Sequence, residues 1–452
     1  MKIVLLGFMG SGKTTAASVL RKMTDYSLIE TDALVLAETD CKSISEIFDR
    51  HGEASFRELE TAALSKALQQ EDVIISCGGG ILESSHNRRL FNEPTLHGAG
   101  NICMVYLDTS FETIEMRLQG DTSRPLFRSR DDAHSLYSKR LSQYQHAADL
   151  VIPTDELSPE EVGRLMKQLL FDVPSVGQRE EQMRIWMVIG DPVGHSRSPR
   201  LHGALFRDME MKNHQFVSFR VRDIQSFFES FRSNKALQGL AITVPLKERV
   251  MPYLDEISES AGIIGAVNTV VKAEGKLCGH NTDWIGIQEP LLKRGALHGK
   301  RVAIVGAGGT ARAALFAVKD RAEDVTIINR TLNRATSLAA EFQVSAAALS
   351  DIESLGEFDT IIQTTSAELF AQGRSLFDSS AFRSEMVVLD AVYVPEWTPF
   401  LLSAQKAGAI CITGREMFLA QAAAQFQYHH GREVPAALLS GKAENSAFCE
   451  AR

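Results

Sequence analysis

The feature that most constrains this chain is a unit of short apolar strand, glycine-rich turn and amphipathic helix, which recurs along its 452 residues. The clearest strand candidates are apolar throughout rather than alternating, a pattern typical of parallel strands covered on both faces. They lie at 2–7, 72–77, 103–108, 185–190, 240–244, 301–306, 324–329, 359–364 and 386–393. Helical stretches separate them, so the sequence predicts an α/β fold built on parallel sheets.

The length predicts more than one domain, because a single hydrophobic core rarely grows past about 250–300 residues. The best boundary is the polar stretch 171–184, which contains Pro174 and Gly177 and precedes a second series of strands. We therefore expect a first domain over 1–172, a linker over 173–183 and a second domain series from 184 onward. Cutting the linker should release two halves that fold separately.

Charge and composition exclude several classes of protein. The 48 Lys and Arg against 57 Asp and Glu give a net charge of -9, which argues against a general nucleic-acid binder and suits a cytoplasmic enzyme. No stretch of eighteen apolar residues is present, so we expect no membrane span. The six cysteines show neither zinc spacing nor a disulfide framework.

The run GFMGSGKT at 7–14 fits GxxxxGK[ST] directly between a strand and a helix. Backbone N–H groups of such a loop cradle phosphates, its lysine reaches the β- and γ-phosphates, and its hydroxyl binds Mg²⁺. The alternative is a glycine-rich turn without function. The motif predicts a site for ATP or GTP that uses Gly10, Ser11, Gly12, Lys13, Thr14 and Thr15.

Carboxylates, glycines and guanidinium groups follow this loop at strand ends and in an Arg-rich segment. They are Glu30, Asp32, Arg57, Glu60, Gly78, Gly79, Gly80, Arg124 and Arg140. Each alone is more simply a solvated surface group. Together they suit a small polyhydroxy acid, because planar guanidinium forks match a carboxylate.

This set resembles shikimate kinase over roughly residues 1–170. The resemblance implies that Asp32 grips the substrate hydroxyls, that Arg57 and Arg140 clamp its carboxylate beside the turn 78–80, and that Arg124 faces the nucleotide. The acid that helps to hold Mg²⁺ in the family is Glu30 here, one methylene longer than the family's aspartate. We expect this departure to alter metal affinity rather than abolish activity.

The second half begins with other polar groups at strand and loop ends. Ser196 and Ser198 could bind a carboxylate, or a serine could simply cap the following helix. Lys247 stands at a helix start, where a cation is electrostatically unfavourable and therefore hints at function. Asp283 is its plausible partner, with Asn268 a further hydrogen-bonding group. An ordinary salt bridge remains the alternative.

A strand at 301–305 runs into the GxGGxA motif at 306–311 and then a helix. This arrangement is typical of dinucleotide binding and predicts a site at Gly306, Gly308, Gly309, Thr310 and Ala311. The second strand ends in Asn329, Arg330 and Thr331, followed by Arg334, with no acid for an NAD ribose. The basic groups favour the 2′-phosphate of NADP, unless they are merely exposed.

The pattern over 185–430 resembles shikimate dehydrogenase. The resemblance implies that shikimate is bound by Ser196, Ser198, Thr243, Lys247, Asn268, Asp283 and Gln421. It implies further that Tyr393 lies near the nicotinamide, that Gly414 binds NADP, and that Lys247 and Asp283 are catalytic. Two departures appear, Leu240-Ala241-Ile242 before the T-V-P run and Gln363-Thr364-Thr365 where the family has N-A-T.

The two resemblances imply a bifunctional enzyme that reduces 3-dehydroshikimate with NADPH and phosphorylates shikimate with ATP and Mg²⁺, with Asp32 and Lys13 catalytic in the kinase. We expect a P-loop kinase domain with a parallel sheet, then a substrate lobe over 184–285 completed by helices at 415–440, and a Rossmann-type NADP lobe over 286–414. Two alternatives are a metabolite-sensing regulator that keeps both folds, and a quinate/shikimate oxidoreductase fused to a weak kinase.

Overall fold

The structure is a computed structural model that describes residues 1–92, 102–119, 129–171, 183–352, 355–365, 375–439 and 441. The chain forms two compact units, Met1–Gln238 and Gly239–Glu444. Within the described residues, no helix is long and apolar enough to span a membrane.

In the first unit, seven strands are hydrogen-bonded in the order β2-β3-β1-β4-β5-β7-β6. Their bounds are β1 Lys2–Leu6, β2 Ser27–Glu30, β3 Val73–Ser76, β4 Ile102–Asp108, β5 Leu150–Pro153, β6 Arg184–Gly190 and β7 His214–Arg220. The first five are mutually parallel, and β6 is parallel to β7. The loop after the central strand β1 therefore opens at the carboxyl edge of the sheet, where α/β proteins bind ligands.

Nine helices accompany these strands in the described part of the first unit. They are α1 Lys13–Lys22, α2 Thr31–Ala37, α3 Ile44–Leu68, α4 Ser85–Asn92, α5 Phe111–Leu118, α6 Arg130–Ala147, α7 Pro159–Leu170, α8 Ser198–Asp208 and α9 Ile224–Ser233. The start of α7 has a clear local cause. Ser158 and Glu161 form a capping box, in which the side chain of each accepts a hydrogen bond from the backbone N–H of the other. Pro159 occupies the first helical position, which needs no N–H donor.

Strand β5 pairs antiparallel with β7, with Leu150 opposite Phe219 and Val151 opposite Ser218. This pairing crosses the polar stretch at 171–184. The strands on both sides of the stretch therefore belong to one continuous sheet, an arrangement that the sequence did not predict.

The second unit carries a six-stranded sheet and four further strands. The four strands are hydrogen-bonded in the order β8-β10-β11-β9, and they are β8 Leu237–Ile242, β9 Glu256–Ile257, β10 Thr269–Ala273 and β11 Lys276–His280. The six-stranded sheet is entirely parallel, with the order β14-β13-β12-β15-β16-β17. Its strands are β12 Arg301–Val305, β13 Asp324–Asn329, β14 Ser345–Ala348, β15 Thr360–Gln363, β16 Val387–Asp390 and β17 Ile410–Ile412.

The helices of the second unit cover these strands. They are α10 Glu259–Ile264, α11 Asp283–Lys293, α12 Gly309–Val318, α13 Leu332–Phe342, α14 Pro399–Lys406, α15 Gly414–His430 and α16 Ala436–Leu439. Helix α12 packs its buried alanines onto the six-stranded sheet, and Val302 and Ile304 of β12 belong to the same core. The opposite face of that sheet is covered by a second core around Phe400 and Leu401.

All nine strand predictions are confirmed within a few residues at each end. The expectation that every one is parallel is wrong for β8, which pairs antiparallel with β10 through Ala241 and Thr269. An apolar run indicates that both faces of the strand are buried, but it does not indicate the direction of the neighbouring strand.

Candidate active sites

The phosphate-binding loop lies between β1 and α1, as the sequence predicts. Gly12 precedes the helix with φ 87°, a left-handed conformation that favours glycine. A Cβ on Gly7 would lie 2.6 Å from the Ser11 side-chain oxygen, so this turn also needs a glycine. The Lys13 ammonium donates hydrogen bonds to the carbonyls of Gly7 at 2.8 Å and Phe8 at 3.0 Å. The loop therefore holds the lysine folded over its own backbone.

The hydroxyl groups in the first turn of α1 are accessible to a metal–nucleotide complex. Thr14 and Thr15 are exposed, and Thr14 Oγ1 lies 3.4 Å from Ser76 Oγ at the end of β3. Glu30 stands opposite Ser76 in the β2–β3 register. Thr14 and Glu30 thus approach the same strand end, and a hydroxyl and a carboxylate are oxygen ligands that suit Mg²⁺.

Asp32 lies in the first turn of α2, against the glycine turn that follows β3. A Cβ on Gly78 would lie 2.8 Å from Asp32 Oδ1 and 2.9 Å from Glu60 Oε1, so only glycine lets both carboxylates approach the backbone. Thr31 Oγ1 accepts a hydrogen bond from the Gly78 N–H at 3.0 Å. Burial raises the pKa of Glu60, although the Arg57 charge opposes the shift.

Arg57 and Arg140 lie on α3 and α6, and the structure brings their guanidinium groups to one carboxylate. Glu83 Oε2 accepts from Arg57 at 2.6 Å and from Arg140 at 3.0 Å, and its Oε1 accepts from Arg140 at 3.3 Å. Burial raises the Glu83 pKa, but the hydrogen bonds and charges of Arg140 and Arg57 outweigh it and hold this pKa below its ordinary value.

The glycine turn is in contact with both arginines. A Cβ on Gly80 would overlap the Arg57 guanidinium, and one on Gly79 would lie 3.5 Å from Arg140 Nη1. The two arginines and the turn 78–80 are therefore assembled as the sequence predicts, whereas Glu83 was missed. Its only sequence signal is its position three residues after the turn. Arg124, expected to face the nucleotide, lies outside the described residues.

Ser196 and Ser198 belong to the first unit, at the start of α8. Ser196 Oγ accepts a hydrogen bond from the Ser198 N–H at 3.3 Å, and Ser198 is buried. The N-cap of α8 is Arg197, and no side chain caps the helix, so the serine cap that we named as the alternative is absent. The Ser196 hydroxyl keeps its donor capacity in this local contact, so carboxylate binding is compatible with it.

The predicted pairing of Lys247 with Asp283 is present in the second unit. Lys247 Nζ donates to Asp283 Oδ2 at 2.5 Å, and the two side chains are 16% and 8% exposed. Asn268 Nδ2 donates to the other oxygen of this carboxylate at 2.8 Å. Asp283 begins α11 and its N–H donates to Asn281 Oδ1. The carboxylate is thus fixed between an ammonium and an amide.

Further polar side chains surround this pair. Thr282 Oγ1 lies 3.3 Å from Gln421 Oε1, and Asn268 Nδ2 lies 3.5 Å from the same oxygen. Gln425, one turn along α15, donates to the Asn268 carbonyl at 3.1 Å. Asn268 and Gln421 are therefore close together as the sequence predicts, while Thr282 and Gln425 were missed. Thr243 is half-buried at the end of β8, where its carbonyl closes a turn with Leu246.

The dinucleotide motif forms the turn between β12 and α12. Gly306 has φ 119°, and a Cβ there would overlap the Thr364 hydroxyl. Gly308 caps the helix without a side chain, which leaves the N–H groups of Gly309, Thr310 and Ala311 at a helix start. Such groups suit a pyrophosphate. The motif thus has the surroundings that a dinucleotide requires.

The residues that we expect to bind the 2′-phosphate follow β13. Arg330, Thr331 and Arg334 are exposed, and Asn329 Nδ2 donates to the Thr331 carbonyl at 2.9 Å. Exposed guanidinium groups at this strand end fit NADP.

Tyr393 and Gly414 lie where β16 and β17 end. The Tyr393 ring packs at 5.0 Å from Phe418 of α15, and a Cβ on Gly414 would overlap the Val392 carbonyl. Asp390, nearby on β16, accepts hydrogen bonds from Thr398 at 2.6 Å and from the Val392 N–H. Burial raises the pKa of Asp390 to about 6.

The departure at 363–365 has a structural role. Gln363 Nε2 donates to Asp390 Oδ1 at 3.2 Å, and the Thr365 hydroxyl donates to Gln363 Oε1 at 2.6 Å. Thr364 Oγ1 donates to the Val305 carbonyl at 2.8 Å. These side chains therefore tie β15 to its neighbours in the sheet.

Comparison with known families assigns both halves of the chain. Residues 9–170 match the model of shikimate kinase, residues 188–270 that of the shikimate dehydrogenase substrate binding domain, and residues 291–395 that of shikimate / quinate 5-dehydrogenase. The matched ranges agree with the two resemblances seen in the sequence.

Individual relatives support the second assignment. A shikimate dehydrogenase (NADP(+)) of Nitrosopumilus maritimus is 38% identical over 263 residues, covering 56% of this chain and 95% of that protein. A bifunctional 3-dehydroquinate dehydratase/shikimate dehydrogenase of Arabidopsis thaliana is 33% identical, covering 59% of this chain and 47% of that one.

A solved structure agrees with them. Shikimate 5-dehydrogenase of Thermus thermophilus in complex with NADP(H) and shikimate is 32% identical, with a TM-score of 0.53, covering 59% of this chain and 98% of that one. The chain therefore belongs to the shikimate dehydrogenase family, and its residues 9–170 form a shikimate kinase domain joined to it.

Proposed function

We propose that this chain catalyses two consecutive reactions, the reduction of 3-dehydroshikimate to shikimate with NADPH and the phosphorylation of shikimate to shikimate 3-phosphate with ATP. The observation that carries the proposal is the Lys247–Asp283 pair at 2.5 Å, with its carboxylate also bound by Asn268. A protein that only sensed metabolites would have no need of a proton donor held in this way.

In the reduction, the Lys247 ammonium donates a proton to the carbonyl oxygen of the substrate. NADPH, when bound, supplies the hydride to the carbonyl carbon. Asp283 orients the ammonium through its hydrogen bond, while Asn268 fixes the carboxylate in turn. Ser196, Ser198, Thr243, Asn268 and Gln421 supply hydroxyl and amide groups for the carboxylate and hydroxyls of the substrate.

In the phosphorylation, Asp32 orients or deprotonates the attacking hydroxyl of shikimate. Arg57 and Arg140 bind the substrate carboxylate beside the glycine turn. Lys13 leaves the loop carbonyls that it contacts and reaches the phosphates, where its charge stabilises the transferred group.

Mg²⁺, when bound, neutralises charge on the nucleotide phosphates. Thr14 and Glu30 would hold it, and Arg124 would contribute a further positive charge at the nucleotide. The longer side chain of Glu30 is expected to change the affinity for the metal.

The cofactor is proposed to be NADPH rather than NADH. Arg330, Thr331 and Arg334 are exposed after β13, and no acid stands at the end of that strand to accept a hydrogen bond from an NAD ribose. The same feature argues against an NAD-linked quinate oxidoreductase as the main activity.

The experiment is a crossed pair of variants assayed for each reaction alone. Lys247→Ala should abolish NADPH-dependent reduction of 3-dehydroshikimate and leave ATP-dependent phosphorylation of shikimate intact, and Lys13→Ala should do the reverse. A wild-type chain that turns over neither substrate, or single variants that each lose both reactions, would contradict two separate sites.

A further inference from the structure

The region matched to shikimate kinase and the region matched to the dehydrogenase substrate domain are joined extensively within the first unit. Besides the β5–β7 pairing, the Arg220 N–H donates to the Asp149 carbonyl at 2.7 Å, and Arg222 pairs with the Asp149 carboxylate at 2.8 Å. Asn234 Nδ2 donates to the Gln168 carbonyl at 3.2 Å. Gly194 lies so close to the Gln145 carbonyl that any Cβ would overlap it.

One contact across this junction is a buried, bidentate ion pair. Arg200 of α8 donates from Nε to Asp108 Oδ2 at 2.8 Å and from Nη2 to Asp108 Oδ1 at 2.6 Å. The two side chains are only 14% and 8% exposed. Tyr106 completes the carboxylate shell with a hydrogen bond at 3.0 Å. Two parallel hydrogen bonds fix position and orientation, which a single contact does not.

The two residues of this ion pair lie close in the chain or the sheet to residues of the two candidate sites. Asp108 is the last residue of β4, beside the strand that leads into the phosphate loop, since Leu6 of β1 is opposite Tyr106. Arg200 is in the first turn of α8, two residues after Ser198. The charge of Asp108 also interacts with Arg197, which separates Ser196 from Ser198. One kinase carboxylate therefore faces the cations on both sides of Ser198.

We propose that Asp108, within the kinase region, is a positioning residue for the dehydrogenase. It holds the first turn of α8 through Arg200, and so sets the place of the Ser196 and Ser198 hydroxyls. The inference rests on the proposed function, because it assumes that these serines bind shikimate. A displacement of about 1 Å in a group that positions substrate can cost up to about 100-fold in kcat/KM. Where the lost binding is equal in the ground state and the transition state, the loss appears in KM and kcat is unchanged.

The test compares Asp108→Asn and Arg200→Met with the wild-type full chain in shikimate-dependent reduction of NADP⁺. Each variant should raise the KM for shikimate by at least about fivefold. The KM for NADP⁺ and kcat should change by less than about twofold, because the dinucleotide motif lies elsewhere in the chain. The double variant should match the single ones rather than multiply their effects, since both act through one pair.

Arg207→Met is the matched control. Arg207 lies in the last turn of the same helix and pairs with Glu156 of the kinase region, but the two side chains are 40% and 62% exposed. Exposed ion pairs contribute little to the stability of the structure around them, so this variant should keep the wild-type KM for shikimate. Should Asp108→Asn fail to fold, Arg200→Lys keeps the cation and loses the fork, and is expected to raise the same KM.

An unchanged KM for shikimate in folded Arg200→Met or Arg200→Lys would overturn the positioning role, and so would equal increases for shikimate and NADP⁺. Turnover of shikimate by the wild-type chain tests the proposed function itself. The difference between the Arg200 and Arg207 variants tests only the role of the ion pair, so the two failures are distinguishable.

Discussion

Replacement of Lys247 by Met separates its chemical role from its structural one. The Lys247 side chain is 16% exposed and that of its partner Asp283 is 8% exposed. The variant therefore leaves a nearly buried carboxylate that has lost its ammonium partner and keeps the hydrogen bond from Asn268. Breaking a buried pair by removing one partner costs about 3–5 kcal/mol. The partial exposure of Lys247 places the expected loss at the lower end, about 3 kcal/mol.

This loss should be visible in thermal unfolding. The second unit spans Gly239–Glu444, and for about 200 residues each kcal/mol shifts the midpoint by about 2–4 °C. Lys247→Met should therefore lower the Tm of that transition by about 6–12 °C. In Lys247→Met/Asp283→Asn the remaining charge is removed, and the stability should return to within about 1 kcal/mol of wild type.

Activity should not return with stability. Loss of a general acid lowers the rate by about 10²–10⁴-fold, so both variants should show this loss in NADPH-dependent reduction, followed by NADPH absorbance. Phosphorylation of shikimate, measured in the same preparations, is the internal control. A double variant that recovers reduction would show that Lys247 only stabilises the fold and would refute the assignment of a proton donor.

Three further predictions concern Glu83, Arg330 and Asp390. Glu83→Gln should lower the kinase KM for shikimate severalfold, because the Glu83 carboxylate occupies guanidinium N–H groups of Arg57 and Arg140 that a substrate anion would use. A higher KM in steady-state kinetics would mean that Glu83 instead positions the two arginines. Arg330→Ala should raise the KM for NADPH far more than that for NADH, and equal changes would rule out contact with the 2′-phosphate. Asp390 has its pKa raised from 3.8 to about 6, so the folded state binds its proton more tightly, and the free energy of unfolding should fall by about 3 kcal/mol as the pH rises from about 3 to 7. Asp390→Asn should flatten this part of the stability profile in denaturant titrations, whereas an unchanged slope would show that other groups cause it.

Local patterns predicted most of the fold and several of the residues that the structure brings together at the two candidate sites. The phosphate loop and the GxGGxA turn are recognisable because the backbone conformation that each requires restricts the sequence over a few adjacent positions. The pairing of Lys247 with Asp283 was also predicted and is present, although Lys247 lies in a turn and not at the helix start that the sequence suggested.

Other features leave no local signal. Glu83 reads as a solvated surface acid, and only the packing of α3 and α6 brings two guanidinium groups to it. The antiparallel pairing of β5 with β7 joins residues far apart in the chain, across a polar stretch that suggested two separable halves. The bidentate contact of Arg200 with Asp108 likewise depends on tertiary structure, because nothing near either residue indicates the other.

The central claim is that one chain both reduces 3-dehydroshikimate and phosphorylates the product. The most direct measurement supplies the purified chain with 3-dehydroshikimate, ATP, Mg²⁺ and NADPH deuterated at both C4 positions, and analyses the products by mass spectrometry. The account predicts shikimate 3-phosphate that carries deuterium, in amounts equal to the NADPH consumed at completion. Deuterated shikimate that accumulates without a phosphoryl group, or 3-dehydroshikimate recovered unchanged, would contradict it.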